Sequence, residues 1–264
     1  MSSQVGRFLL ICFGLSWAPW IVLGATGANV DEGPGALVFG LAASGPSLAA
    51  LVMWLRYRSR LPRQTAWAWH WPVVAVVLGA APPLLAALLT GVDDIPHHAS
   101  TVIAGAGGPL GALAYTLLAG PLSEEFGWRG YLQPRLRRSY GQLAVTGMIG
   151  AAWGIWHLPL FFLEGTGQHD KGLISLEGLL FFLGLFPLTY TILFVSERLR
   201  GGVWAAILVH AAWNLTEELV PALSATGLWV EFALTTLIAV SAALVWKRTG
   251  SPTPTLRGGR RVSR

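Results

Sequence analysis

The sequence has few charged residues for its length. Only 12% of the 264 residues are Asp, Glu, Lys or Arg, whereas 53% are hydrophobic. A water-soluble domain carries about 25% charged residues. This composition therefore excludes an ordinary soluble protein and predicts an all-α, polytopic membrane protein.

Other absences narrow the class further. The single cysteine, Cys12, lies in an apolar run, so the chain cannot form an internal disulfide. The helix signature of soluble zinc proteases, two histidines four residues apart beside a glutamate, does not occur. Neither an internal repeat nor a linker divides the sequence. We expect a single transmembrane domain over residues 1–247, followed by a disordered, basic cytoplasmic tail over residues 248–264.

Long apolar runs give the expected number of spans. A helix needs about 20 apolar residues to cross the hydrocarbon layer of a membrane. Eight runs approach this length, at residues 8–28, 36–55, 72–92, 109–133, 142–163, 173–195, 202–222 and 228–246. The segment 95–108 is either a loop or a short re-entrant piece. The sequence thus predicts about eight transmembrane helices.

The basic residues indicate the orientation. If eight helices cross the membrane, 17 of the 18 Lys and Arg residues fall on the side of both termini, and only Lys171 lies opposite. Cytoplasmic loops carry such an excess, so both termini are expected in the cytoplasm. Arginine outnumbers lysine 16 to two, as in GC-rich bacterial genomes, which favours a bacterial plasma membrane. Topology and anionic lipids account for the basicity, so no nucleic-acid partner is predicted.

Two carboxylates and an arginine occur inside the fourth apolar run, which we expect to form one continuous helix. Each charge at the centre of a bilayer costs about 2.5–3.5 kcal/mol. Glu125 and Arg129 are four residues apart and can form an ion pair on one helix face. Glu124 points about 100° away. We therefore expect its partner on another helix.

Further polar residues lie in the fifth and seventh runs. His157 ends the sequence Trp-Gly-Ile-Trp-His, and His210 and Asn214 share one helix face. At 1.5 Å per residue, Glu124, His157 and His210 lie about 12–22 Å below the cytoplasmic surface. These depths are compatible with one shared site in the helix bundle. Two acidic residues continue the stripe of His210, and we expect them to be solvated near the outer mouth: Glu217 and Glu218.

These side chains can catalyse hydrolysis. A buried carboxylate can take a proton from water near neutral pH. A histidine can orient that water, or His157 and His210 together with Glu124 can hold a divalent metal such as zinc. An amide beside a histidine can donate hydrogen bonds to a developing oxyanion. The set fits hydrolysis of a peptide bond in a peptide or membrane-protein substrate, with a catalytic core at about residues 109–222.

The motifs resemble the CAAX protease and bacteriocin-processing (CPBP) family of intramembrane endopeptidases, which includes the type II CAAX prenyl endopeptidases. That family has Glu-Glu-x-x-x-Arg, aromatic-x-x-x-His and His-x-x-x-Asn motifs on separate helices. The sequence matches them with Glu124 to Arg129, Trp153 to His157 and His210 to Asn214. Trp153 stands where Phe is common.

The resemblance implies a role for each matched residue. Glu124 would activate water, and His157 would assist. His210 and Asn214 would stabilise the oxyanion, or His210 would help to hold a metal. Glu125 and Arg129 would be supporting residues. Members are usually called metalloproteases, although the sequence does not decide whether a metal takes part.

Two other classes of function remain open at this stage. Buried Glu and His also form proton relays in transporters and channels, although no inverted repeat is visible. The protein could also be a non-catalytic membrane scaffold or immunity protein that retains the motifs. In either case, Glu125 with Arg129 would be a structural ion pair, and His210 with Asn214 a hydrogen-bonded clamp between helices.

Overall fold

The computed structural model describes residues 3–28, 30, 33–57 and 70–249. Over these ranges the chain forms helices and no β-strand, which confirms the all-α prediction. The α-helices are α1 (Ser3–Thr26), α2 (Gly33–Ala43), α3 (Gly45–Tyr57), α4 (Trp71–Leu89), α5 (Ile95–Gly105), α6 (Pro109–Ala119), α7 (Pro121–Glu125), α8 (Gln133–Leu136), α9 (Gln142–His157), α10 (Gly167–Lys171), α11 (Leu176–Leu193), α12 (Gly202–Leu219) and α13 (Ala225–Thr249). A first π-helical segment (Phe126–Leu132) joins α7 to α8, a 3-10 segment (Leu158–Phe162) follows α9, and a second π-helical segment (Phe194–Arg198) follows α11.

The lengths and composition of the helices confirm an integral membrane protein. Within the described ranges, five helical stretches are long and apolar enough to cross a membrane, namely Ser3–Thr26, Trp71–Leu89, Gln142–Phe162, Leu176–Arg198 and Ala225–Thr249. Two bent pairs raise the number to seven if each is one span: α2 with α3, bent by 54°, and α5 with Pro109–Leu136, bent by 79°. Helix α12, which matches the predicted span 202–222, is not among them, so the count of eight is not confirmed.

The helix expected over residues 109–133 is present, since Pro109–Leu136 forms one helical stretch, but it is not continuous. The chain breaks at Gly120, and α7 begins at Pro121. Proline has no backbone N–H and its ring clashes with the preceding turn, so it begins a helix more readily than it continues one. The preceding segment 95–108, whose structure the sequence left open, contains helix α5.

Buried tryptophans fasten the N-terminal helix to the centre of the bundle. Trp20, Trp128, Trp153 and Trp156 are each no more than 2% exposed. The indole Nε1 of Trp156 donates to Ser16 Oγ of α1 at 2.8 Å, and Trp17 Nε1 donates to the Trp156 carbonyl oxygen at 3.0 Å. These bonds fix the end of α9, where His157 lies.

Helix α12 lies between α4 and the Glu-Glu motif. It packs against α4 along much of its length and also contacts α7 and the first π-helical segment. The approach to α4 is close because Gly79 has no side chain, and a Cβ there would collide with the Val209 carbonyl oxygen. The contact turns the His210 face of α12 toward α7.

Only part of the domain organisation predicted for the C-terminal end lies within the described residues. Helix α13 continues to Thr249, two residues beyond the predicted end of the domain, and residues 250–264 of the predicted tail lie outside the described part of the chain. The cytoplasmic location of both termini and the bacterial origin stay predictions.

Candidate active site

Both carboxylates of the Glu-Glu motif lie inside the protein. Glu124 is 4% exposed and Glu125 is 0% exposed. Because α7 begins at Pro121, both fall in its short turn, and the Glu124 backbone N–H bonds to the Gly120 carbonyl oxygen at 2.9 Å. The π-helical geometry begins directly afterwards, as is frequent at functional sites.

Glu125 forms the ion pair that its spacing predicted. Arg129 Nη1 lies 2.8 Å from Glu125 Oε1, with both side chains 0% exposed. The same oxygen also bonds to Nδ1 of His210 at 2.9 Å, a contact that the sequence did not reveal. Glu125 therefore connects the first motif to α12 as well as holding its own arginine.

Glu124 has the interhelical partner that we expected. The indole Nε1 of Trp153 on α9 donates to Glu124 Oε2 at 2.5 Å. The Trp153 ring also lies 4.3 Å from the guanidinium carbon of Arg129 and meets the His210 ring edge to face at 5.1 Å. Trp153 therefore contacts residues of both other motifs.

His157 is held in one orientation beside this network. Its Nδ1 is 2.8 Å from the Trp153 carbonyl oxygen, and its ring packs edge to face against Trp156 and Phe181. A carbonyl oxygen only accepts hydrogen bonds, so Nδ1 carries the hydrogen and Nε2 of the neutral ring is an acceptor. His157 is 7% exposed.

The missing side chain of Gly120 leaves a small space that we call the Gly120 cradle. A methyl carbon placed on Gly120 would lie 3.1 Å from Asn214 Nδ2, 3.5 Å from Glu124 Oε1 and 3.6 Å from His210 Nε2. The cradle thus brings together one residue of the first motif and two of the third. His157 is not among its three nearest neighbours.

The sequence did not identify Gly120 or the hydrogen bond of Trp153 as parts of the site. Each had a signal in the sequence. Gly120, four residues before Glu124, is followed by a proline. Trp153 stands where Phe is common, and its indole has an N–H that a Phe side chain lacks. Larger crevices lie elsewhere, with volumes of about 350 and 440 Å³ between α1 and residues 158–169. Neither is lined by Glu124, His210 or Asn214.

The two acidic residues beyond Asn214 lie outside the cradle. Glu217 and Glu218 are exposed, and Glu217 Oε1 pairs with Lys171 Nζ at 2.8 Å. Burial acts to lower the pKa of Lys171, but the nearby carboxylates, Glu217 foremost, together outweigh it, so the pKa is raised from its ordinary value of 10.5. Glu217 therefore has an ion-pair partner rather than water alone.

The two histidines predicted to bind a metal, His157 and His210, each have only Nε2 available as a ligand. Nδ1 of His157 and Nδ1 of His210 make the bonds described above. Across the described ranges, no group of three or more His, Cys, Asp or Glu side chains is placed to hold a metal ion. The donor set as it stands does not fit a protein-bound zinc site, which usually has three or four protein ligands. Zinc at His157 and His210 stays a prediction.

Comparisons with known proteins identify relatives of this sequence. A family model described as type II CAAX prenyl endopeptidase Rce1-like matches residues 106–216, a range that contains all three motifs. A protein named CAAX prenyl protease 2, from Methanococcus maripaludis, is 30% identical over 135 residues. The alignment covers 51% of this chain and 49% of that protein, so the chain spans about half the length of this relative. The match over residues 106–216 confirms the resemblance to the CPBP family, which includes the type II CAAX prenyl endopeptidases.

Proposed function

We propose that the protein is an intramembrane endopeptidase in which Glu124 activates a water molecule held in the Gly120 cradle. The observation that carries this proposal is the convergence of Glu124 Oε1, His210 Nε2 and Asn214 Nδ2 on one point. These atoms come from two helices and lie within a few ångströms of a space that only a glycine leaves open.

The bond between His210 and Glu125 supports a specific role for His210. A carboxylate accepts hydrogen bonds only, so His210 Nδ1 carries the hydrogen. Arg129 pairs with the same oxygen of Glu125. With its hydrogen on Nδ1, a neutral imidazole has a free lone pair on Nε2. Nε2 of His210 then accepts a hydrogen bond. We therefore give His210 the role of orienting water in place of the oxyanion role that the resemblance implied.

The cradle then matches the hydrogen-bonding groups of a water molecule. Glu124 Oε1 and His210 Nε2 accept its two hydrogens, and Asn214 Nδ2 donates to one lone pair of its oxygen. The other lone pair is free to attack a carbonyl carbon. As the C–O bond forms, Glu124 takes a proton and Asn214 donates to the developing oxyanion. Glu124 then gives the proton to the departing nitrogen as the C–N bond breaks.

The surrounding residues support Glu124. Trp153 occupies Glu124 Oε2, which leaves Oε1 for the cradle. The ion pair of Glu125 and Arg129 holds the helix next to it. His157 offers only its Nε2, and we keep for it the assisting role that the resemblance implies.

We propose a peptide or membrane-protein substrate. The cradle lies among helices that cross the membrane, so the cleaved segment has to enter the bundle in an extended form. The matched relative is named as a prenyl protease. We propose unprenylated peptides, leader sequences or membrane proteins for this chain, because a bacterial host would offer few prenylated proteins.

Cleavage of a quenched fluorescent peptide library by purified protein in nanodiscs tests this function. Wild-type protein should cleave at least one peptide, whereas Glu124→Gln and His210→Ala should not. A parallel series with a strong chelator reports whether a metal takes part. Equal cleavage by the wild type and Glu124→Gln would rule out the proposed base.

A further inference from the structure

Basic and phenolic side chains from α1, α3, the first π-helical segment and α8 meet at one end of the bundle. We call Arg7, Arg56, Tyr57, Tyr131 and Arg135 the arginine–tyrosine cluster. Arg7 Nη1 on α1 donates to Tyr57 Oη at the end of α3. The guanidinium carbons of Arg7 and Arg56 lie 5.8 and 5.6 Å from the centre of the Tyr57 ring. Two cations thus lie on one tyrosine.

Tyr131 and Arg135 complete the cluster from the chain that follows the Glu-Glu motif. The guanidinium carbon of Arg135 lies 3.4 Å from the centre of the Tyr131 ring, and its Nη1 donates to the Tyr131 carbonyl oxygen at 2.9 Å. Tyr131 stacks on Phe8, the neighbour of Arg7, at 4.9 Å. Tyr57 with its two arginines and Tyr131 with Arg135 are therefore adjacent.

The chain supplies no counter-charge to this cluster within the described residues. Arg7, Arg56 and Arg135 are absent from the ion pairs found there, whereas nearby Arg137 pairs with Glu197 at 2.9 Å. The sequence from residue 33 to 92 contains no Asp or Glu at all. Among the residues that the structure describes, the three guanidinium groups therefore have no ion-pair partner.

Two buried donors in the cluster also lack an acceptor. Tyr131 Oη and Arg135 Nε are shielded from water and make no hydrogen bond in the described part of the chain, and Tyr131 as a whole is only 1% exposed. Buried polar groups are nearly always hydrogen-bonded, so each such exception requires an explanation. Donors without an acceptor, placed among three cations, would be satisfied by an oxyanion from outside the chain.

We propose that the arginine–tyrosine cluster binds the phosphate group of an anionic phospholipid. Guanidinium groups bind phosphate with paired hydrogen bonds, and basic pockets at the ends of transmembrane helices bind lipid headgroups. The cluster includes the first residues of α1 and the last of α3, where the headgroup layer lies. A bound phosphate would tie these helices to the chain that carries Glu124.

Thermal unfolding in nanodiscs of defined lipid tests the proposal without any substrate. The midpoint is measured in phosphatidylcholine, in phosphatidylcholine with phosphatidylglycerol, and in phosphatidylcholine with added inorganic phosphate. The variants are Arg7→Gln/Arg56→Gln/Arg135→Gln and Tyr131→Phe. Arg248→Gln, an exposed arginine at the end of α13, is the matched control for loss of positive charge. Native mass spectrometry counts the bound phosphatidylglycerol in each.

The wild type and Arg248→Gln should gain about 3 °C or more from phosphatidylglycerol, and the triple variant should lose most of this gain. Tyr131→Phe should unfold like the wild type in phosphatidylcholine but retain fewer phosphatidylglycerol molecules, which keeps the test decisive if the triple variant misfolds. An equal gain from inorganic phosphate alone would support the phosphate site but make free phosphate its ligand. Equal gains in all proteins, or no gain in the wild type, would overturn the proposal.

Discussion

Replacing Glu125 with Gln keeps the size of the side chain but removes the charge that Arg129 faces. The two groups are 2.8 Å apart and both are 0% exposed. Removing one partner of a buried pair costs about 3–5 kcal/mol, because the other charge stays buried without compensation. A loss of 1 kcal/mol lowers the unfolding midpoint of a chain of this size by about 2–4 °C. We therefore expect Glu125→Gln to unfold about 6–20 °C lower in the same nanodiscs.

The matched control is Glu217→Gln, the same chemical change in a more exposed ion pair. The Glu217 side chain is 41% exposed and pairs with Lys171 at the same distance of 2.8 Å. Exposed pairs contribute about 0–1 kcal/mol, so its midpoint should fall by no more than about 4 °C. Adding Arg129→Gln to Glu125→Gln should cost less than the sum of the two single changes. An equal fall in the unfolding midpoint for Glu125→Gln and Glu217→Gln would refute the argument from burial.

Three further predictions concern the cradle and the ion pair of Glu217 with Lys171. Gly120→Val should fill the cradle and lower peptide cleavage about a hundredfold or more, as loss of the general base would. Peptide cleavage by Gly120→Val at the wild-type rate would mean that the water molecule binds elsewhere. Asn214→Ala should lower kcat about 10²–10³-fold with little change in KM, as expected for a group that acts on the oxyanion; a rise in KM alone would assign it to substrate binding. Burial lowers the pKa of Lys171, but the nearby carboxylates, Glu217 foremost, together raise it by more. The charged lysine therefore stabilises the protein below the ordinary lysine pKa, and this stabilisation is lost as pH rises through the pKa of Lys171 in the folded protein. The midpoint difference between the wild type and Lys171→Met should therefore be constant near neutral pH and vanish in strongly alkaline solution.

Contacts within one helix could be predicted from the sequence, and contacts between helices could not. Glu125 and Arg129 pair because residues four apart share a face, whatever surrounds the helix. The bond from Glu125 to His210 and the bond from Trp153 to Glu124 depend on how α7, α9 and α12 are rotated against each other. That rotation is set by packing, such as the close approach of α4 and α12 at Gly79.

The break at Gly120 shows the same limit. Apolar composition predicted one helix across residues 109–133, because a hydropathy pattern does not register where a backbone turns. The Gly-Pro pair was a local signal for the break, and the cradle exists because of it. The number of spans could not be predicted from the sequence for a related reason. The two bent helix pairs and α12 do not meet a simple criterion of length and apolarity.

Cleavage in water labelled with the heavy oxygen isotope tests the central claim most directly. A peptide cleaved by the wild type is compared, by mass spectrometry, with the same peptide treated with Glu124→Gln and with Glu217→Gln as the matched control. We predict that the wild type and Glu217→Gln release a product whose new carboxyl group carries one labelled oxygen, and that Glu124→Gln releases none. Labelled product formed by Glu124→Gln at the wild-type rate would contradict the role of Glu124 in activating water.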